Sequence, residues 1–182
     1  RYVERSRGLG DVYKRQELDT YIITSIIEPV ENELLVDDLS IYRSIIKFDS
    51  IGIPENATIN QAILELSLVK GSSHLLGNYD DRLYAFRIET SSWKPEEIKF
   101  DKDMFTRQQV SNFTDDDKVK FDITGIVQQW VSNIEENYGL IILSNNEAVN
   151  IGRYVFDLTG DGQIKSISLY LTYSITTSEQ QF

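Results

Sequence analysis

Apolar and polar residues alternate with period two through most of the chain, and helical spacing shows in one place only. Asp19–Ile27 (DTYIITSII) is β-branched and aromatic and reads as a first strand that Pro29 stops. Leu34–Val36 gives a short second strand, closed by a turn at Asp37 and Asp38. In Ile41–Phe48, Tyr42, Ser44, Ile46 and Phe48 share one face and Ile41, Arg43, Ile45 and Lys47 the other. Both faces are partly apolar, so a central strand is expected there. A turn through Gly52, Pro54, Glu55 and Asn56 leads into Ile59–Val69, the longest alternating run, with Ala62, Leu64, Leu66 and Leu68 inward and Glu65 and Ser67 in water. Gly71–Asp81 is a loop by composition, and Arg82–Thr90 resumes the alternation.

Ser91–Asp117 is the least regular stretch, too long to be a structureless loop in a compact domain unless it is functional or mobile, and within it Ser92 caps a helical turn over KPEEI and Trp93 plugs the end of the fold. Val119, Phe121 and Ile123 then alternate as a strand, and beyond Asp122 and Thr124 the residues Ile126, Val127, Trp130 and Val131 fall at helical spacing. The pattern predicts one short helix over about 123–133. Helices of fewer than roughly 12 to 15 residues are marginal alone in water, so its Trp130 face must lie on a sheet. Tyr138–Leu143 is an almost unbroken apolar strand, Tyr154–Phe156 a short one, and Ile167, Leu169, Leu171 and Tyr173 line a closing strand. Together these predict an all-β, jelly-roll-like β-sandwich of about nine antiparallel strands with one short helix, occupying 17–175, with 176–182 as a frayed tail.

Composition narrows the partners. With 182 residues the chain is large enough to form one self-supporting domain, and it does so without cysteine. Eighteen basic against 29 acidic residues, a net charge of -11, argue against a nucleic-acid partner, which needs clustered Lys and Arg. No apolar run reaches the roughly 18 residues of a membrane span, so no membrane insertion is expected. Arg1–Gln16 stands apart, with five basic and two acidic residues and no periodicity. Its SRGLGDVYKRQ stretch resembles a translated sequencing-adapter segment, so 1–16 is expected to be non-native or disordered, with a flexible basic arm as the alternative. A chain beginning at Glu17 is expected to keep the full melting temperature.

Candidate chemistry is sparse. Paired carboxylates are too abundant to single out a glycosidase pair, and the lone histidine, His74, lies in a Gly/Ser loop. The expectation is therefore a protein that is not an enzyme and requires no cofactor. Asp157, Thr159, Asp161 and Gly162 follow the first half of a calcium loop, although its twelfth position is Ser168 rather than the bidentate Glu, so calcium is a candidate ligand beside a plain hairpin turn. Sugar recognition needs an exposed aromatic plane with polar neighbours. Trp130 is expected in the core; Tyr79 with Asp81 and Arg82, and Tyr154 with Arg153, are the candidate carbohydrate-binding residues. An acidic polysaccharide would need Arg82, Arg87 and Arg153 to supply a positive pocket.

The ordered blocks DTYI (Asp19–Ile22), YRSIIKFDSIGIPENATINQAILELSL (Tyr42–Leu68), RLYAFRIETSSW (Arg82–Trp93), VKFDITGIVQQW (Val119–Trp130), NYGLIIL (Asn137–Leu143) and SISLYLTYS (Ser166–Ser174) resemble the DNRLRE-domain family. The name-giving string itself is replaced by NYDDRLYAFRIE (Asn78–Glu89), and Ser91–Asp117 is longer than in compact members. A weaker resemblance, in the strand, short helix and NxGL strand, is to surface lipoproteins of Bacteroidetes. The family overlaps carbohydrate-binding modules found beside polysaccharide-degrading enzymes in secreted bacterial proteins. The resemblance therefore implies a secreted or cell-surface, non-catalytic module that binds polysaccharide and is tethered to further domains. The alternative is a structural or adhesive module without a glycan ligand.

Overall fold

The computed structural model describes residues 33–48, 51–75, 82–109, 117–158 and 167–175. The expected strand at Asp19–Ile27, the segment 1–16 and the tail 176–182 lie outside them. Nine strands are seen among the described residues: β1 (Glu33–Asp37), β2 (Ser44–Ile46), β3 (Ala57–Ser67), β4 (Arg82–Ile88), β5 (Phe100–Gln109), β6 (Lys118–Asp122), β7 (Leu140–Ser144), β8 (Arg153–Asp157) and β9 (Ile167–Ile175). One helix, α1 (Thr124–Val131), lies between β6 and β7. Every described pairing is antiparallel, in sheets ordered β2-β7-β4-β5, β6-β3-β9 and β1-β8. An isolated bridge from Leu68 to Phe156 links the last two. The architecture is an all-β sandwich that does not close into a barrel.

Alternation explains the core. Ala62, Leu64 and Leu66 of β3, Val119 and Phe121 of β6, and Leu83, Ala85, Leu140 and Ile142 of the four-stranded sheet turn inward into one cluster with Val36, Tyr154 and Phe156. Each such side chain contributes roughly 1.5–3 kcal/mol of transfer free energy, much of it offset by ordering the chain. The helix adds Ile126, Val127, Trp130 and Val131, the four residues of its apolar stripe. Because it has only two turns, side chains fasten it to β3. The Thr124 hydroxyl accepts the Ala62 amide at 2.9 Å, and Gln128 Oε1 accepts that of Ile59 at 2.7 Å. Asp122 Oδ1 receives the Thr124 amide at 3.0 Å at its start, and Asn133 ends it in the left-handed region at φ 52°.

Four sequence expectations change. Ile41–Phe48 is an edge strand among those described, cut to Ser44–Ile46 because Asp37 and Tyr42 exchange backbone hydrogen bonds and place Ile41 in the turn between them. Glu65 is 7 % exposed rather than in water, because Lys118 and Lys120 of β6 reach its carboxylate at 2.6 and 3.3 Å. Ser91–Asp117, where the pattern predicts no strand, contains the ten-residue β5. Trp93 does not plug the fold, being 48 % exposed.

Candidate functional site

The register of the four-stranded sheet fixes what its outer face presents. Phe86 pairs with Phe105 on one side and with Ile141 on the other, and Ile141 pairs with Ile45. Their sequence neighbours Ala85, Ile142 and Ile46 belong to the core cluster, so this row points away from it. An apolar row thus crosses all four strands on the face opposite the core. At one end Tyr84, Phe86, Phe100 and Phe105 pack with ring centroids 5.0–5.7 Å apart. At the other end lies a groove of about 670 Å³.

Ile45 and Ile141 belong to the sheet side of the groove. The turn at Ser40 and Ile41, with Tyr42 and Arg43 leading into β2, forms one wall, and Trp93, Pro95 and Ile98 of the β4–β5 connection form the other. Local chemistry holds both walls. On the first, Ser40 donates its amide to Asp37 Oδ1 at 2.7 Å, and Ile41 sits at φ 54°, an outlier for a β-branched residue. On the second, Glu89 N–H bonds the Lys99 carbonyl at 2.9 Å to close the base of the connection. The amides of Glu97 and Ile98 both reach the Lys94 carbonyl at 3.0 Å, forming the expected turn with Pro95 at its start. Ser92 caps it weakly, at 3.4 Å from the Lys94 amide, and donates its hydroxyl to Glu97 at 2.6 Å. That hydrogen bond, with Lys94, holds the Glu97 carboxyl below the ordinary range.

Trp93 is the groove's aromatic plane. Its indole N–H donates to the Tyr138 carbonyl at 3.1 Å, which fixes the ring while leaving nearly half of the residue exposed. Arg43 is the one charged residue of the described lining, and Glu147 grips it in two places, Nε to Oε1 at 2.8 Å and Nη2 to Oε2 at 2.7 Å. These hydrogen bonds raise the guanidinium pKa against the opposing effect of burial. The arrangement can stack a ring on Trp93 and exchange hydrogen bonds with Tyr42 and Ser40.

The residues singled out from sequence are not gathered here. Tyr79 and Asp81 lie outside the described residues, as do Thr159 and Asp161 of the calcium pattern; Asp157 ends β8 half-buried. Arg82 opens β4 of the four-stranded sheet, its amide donating to Asn145 Oδ1 at 2.9 Å. Arg153 opens β8 in the two-stranded sheet, bridged through its backbone to His74. Tyr154 is fully buried, so its ring offers no plane to a ligand; β8 alternates it inward with Phe156. Arg87 is also buried, paired with Asp101 and Glu135 at 2.7 Å each. Burial alone would lower its pKa, and the two carboxylates outweigh that. Trp130, 6 % exposed, is in the core as expected.

Sequence reasoning missed Trp93, Tyr42 and Arg43 as partners in one groove. A signal existed in the cluster SSWKPEEI, where a tryptophan beside a proline-started turn lies among charged residues rather than in an alternating run. Among the described residues no group of three or more His, Cys, Asp or Glu is placed to hold a metal, and no helix is long and apolar enough to cross a membrane. No protein-family model matches the chain, and no curated protein matches it.

Proposed function

We propose that the chain is a non-catalytic carbohydrate-binding module of a larger secreted or cell-surface protein, and that the outer groove of its four-stranded sheet receives the glycan. The observation that carries this is Trp93: a half-exposed indole, oriented by its hydrogen bond to Tyr138, over an apolar floor. Sugars present a C–H face to such a plane and their hydroxyls to polar groups at its rim. The resemblance of the ordered sequence blocks to the DNRLRE-domain family supports the same reading. So does the groove's described lining, which pairs aromatic and aliphatic surface with hydroxyls.

The reading needs no cofactor. Calcium at Asp157, Thr159 and Asp161 would be an addition to it, detected as a chelator-dependent melting shift. A glycan array tests the function. The expected result is binding to at least one glycan class that Trp93→Ala abolishes without lowering the melting temperature by more than a few degrees. Absence of binding to every glycan would favour the other reading, a structural or adhesive module, for which the aromatic cluster at Tyr84, Phe86, Phe100 and Phe105 offers contact surface.

A further inference from the structure

Charge decides which sugars the groove can hold. Arg43 is the sole charged residue of its described lining, and the guanidinium is already engaged in a two-point bond with Glu147. This is the geometry in which an arginine takes up a ligand carboxylate, so Glu147 stands where a uronate would bind. The carboxylate is the more protected partner, with 17 % of its side chain exposed against 37 % for Arg43. Its turn is also docked on the chain just before the groove wall, since the Ala148 amide donates to the Asp38 carbonyl at 2.7 Å. A uronate would therefore have to displace a carboxylate that the fold itself positions.

No other cation offers a replacement in the described lining. Arg87 is buried against Asp101 and Glu135, and Arg82 and Arg153 open strands of different sheets. A polyanion must also approach a chain of net charge -11.

We infer that the Glu147–Arg43 pair makes the groove selective for neutral glycans and excludes uronate polymers. This rests on the glycan-binding reading above. The neutralised pair still leaves a guanidinium plane, and N–H donors that Glu147 does not take, on the wall opposite Trp93, which suits hydroxyl groups rather than carboxylates.

Affinity electrophoresis of the full chain in gels containing neutral polymers (mannan, xylan, mixed-linkage glucan) or acidic ones (alginate, polygalacturonate) separates the outcomes. The expected result is that a neutral gel, and no acidic gel, retards the wild type. Glu147→Gln, which leaves the guanidinium unneutralised, should gain at least about tenfold in affinity for an acidic polymer. Wild-type retardation by alginate or polygalacturonate that Trp93→Ala removes would overturn the selectivity while leaving the glycan reading standing. A Glu147→Gln variant, folded by circular dichroism, that gains nothing in acidic gels would overturn the role of the pair. No retardation of the wild type in any gel would overturn the glycan reading itself, and the selectivity with it.

Discussion

A Cβ placed on Gly139 would lie 2.7 Å from the carbonyl oxygen of Ile46. Gly139 also has φ 100°, and its amide is held by Asn137 Oδ1 at 3.1 Å, while Asn137 Nδ2 donates to the Phe48 carbonyl at 2.8 Å. The NYGL stretch is thus a clasp that starts β7 in register with β2. Gly139→Ala should cost about 1–3 kcal/mol for the strained backbone, and more because the Ile46 carbonyl must move. Chemical denaturation checks this; an unchanged midpoint would mean that the clasp yields without cost.

Trp130 combines a buried ring with an indole N–H that finds no hydrogen-bond partner among the described residues. Trp130→Ala should lose about 3–5 kcal/mol, since a cavity opens under the helix. Trp130→Phe should lose much less, because it also removes a buried donor whose desolvation costs roughly 1–3 kcal/mol. Equal losses in the two variants would show that the N–H is satisfied in solution.

Glu65 links stability to pH. Burial would raise its pKa, but hydrogen bonds and charge from Lys118 and Lys120 outweigh that and hold it below the ordinary glutamate range. A native pKa below the unfolded one stabilises fully above the unfolded value, and the gain disappears as pH falls through the native value. Glu65→Gln should therefore be less stable than wild type by about 1–3 kcal/mol at neutral pH, with the gap closing under acid. Urea titrations across pH 2–7 read the difference, and a pH-independent gap would contradict the account.

How much of this was legible depends on whether the period-two rule held. β3 and β6 follow it, and the core residues Leu64, Leu66 and Phe121 could be picked from the sequence. β5 could not. Phe100 and Phe105 are five apart and would face opposite ways in a regular strand. A register shift between Phe86 and Ile88 brings both beside the Phe86 ring, at 5.0 and 5.3 Å, and the Asp103 amide turns back onto Asp101 Oδ1 at 2.9 Å within the extra residues. Glu65 was misread because the lysines that cover it lie more than fifty positions away. The groove stayed hidden for the same reason: Arg43 meets Glu147 across 104 positions, and Trp93 meets Tyr138 across 45.

Ile41 carries a conformational cost on the groove wall. At φ 54° a β-branched residue is strained by about 1–2 kcal/mol, and the position suits Gly or Asn. Ile41→Asn should raise stability by up to about 1 kcal/mol while weakening glycan binding, because 49 % of this apolar residue is exposed at the groove. Paired melting and binding measurements check both halves; stabilisation with unchanged affinity would remove Ile41 from the site.

The chain's two tryptophans provide a direct reading of the central claim, one in the groove and one in the core. Titrating the labelled protein with neutral oligosaccharides and following the two indole N–H resonances by NMR should move the Trp93 signal, together with the amides of Tyr42 and Arg43, and leave Trp130 in place. Binding that shifts only resonances outside the groove, or no shift at saturating oligosaccharide, would contradict it.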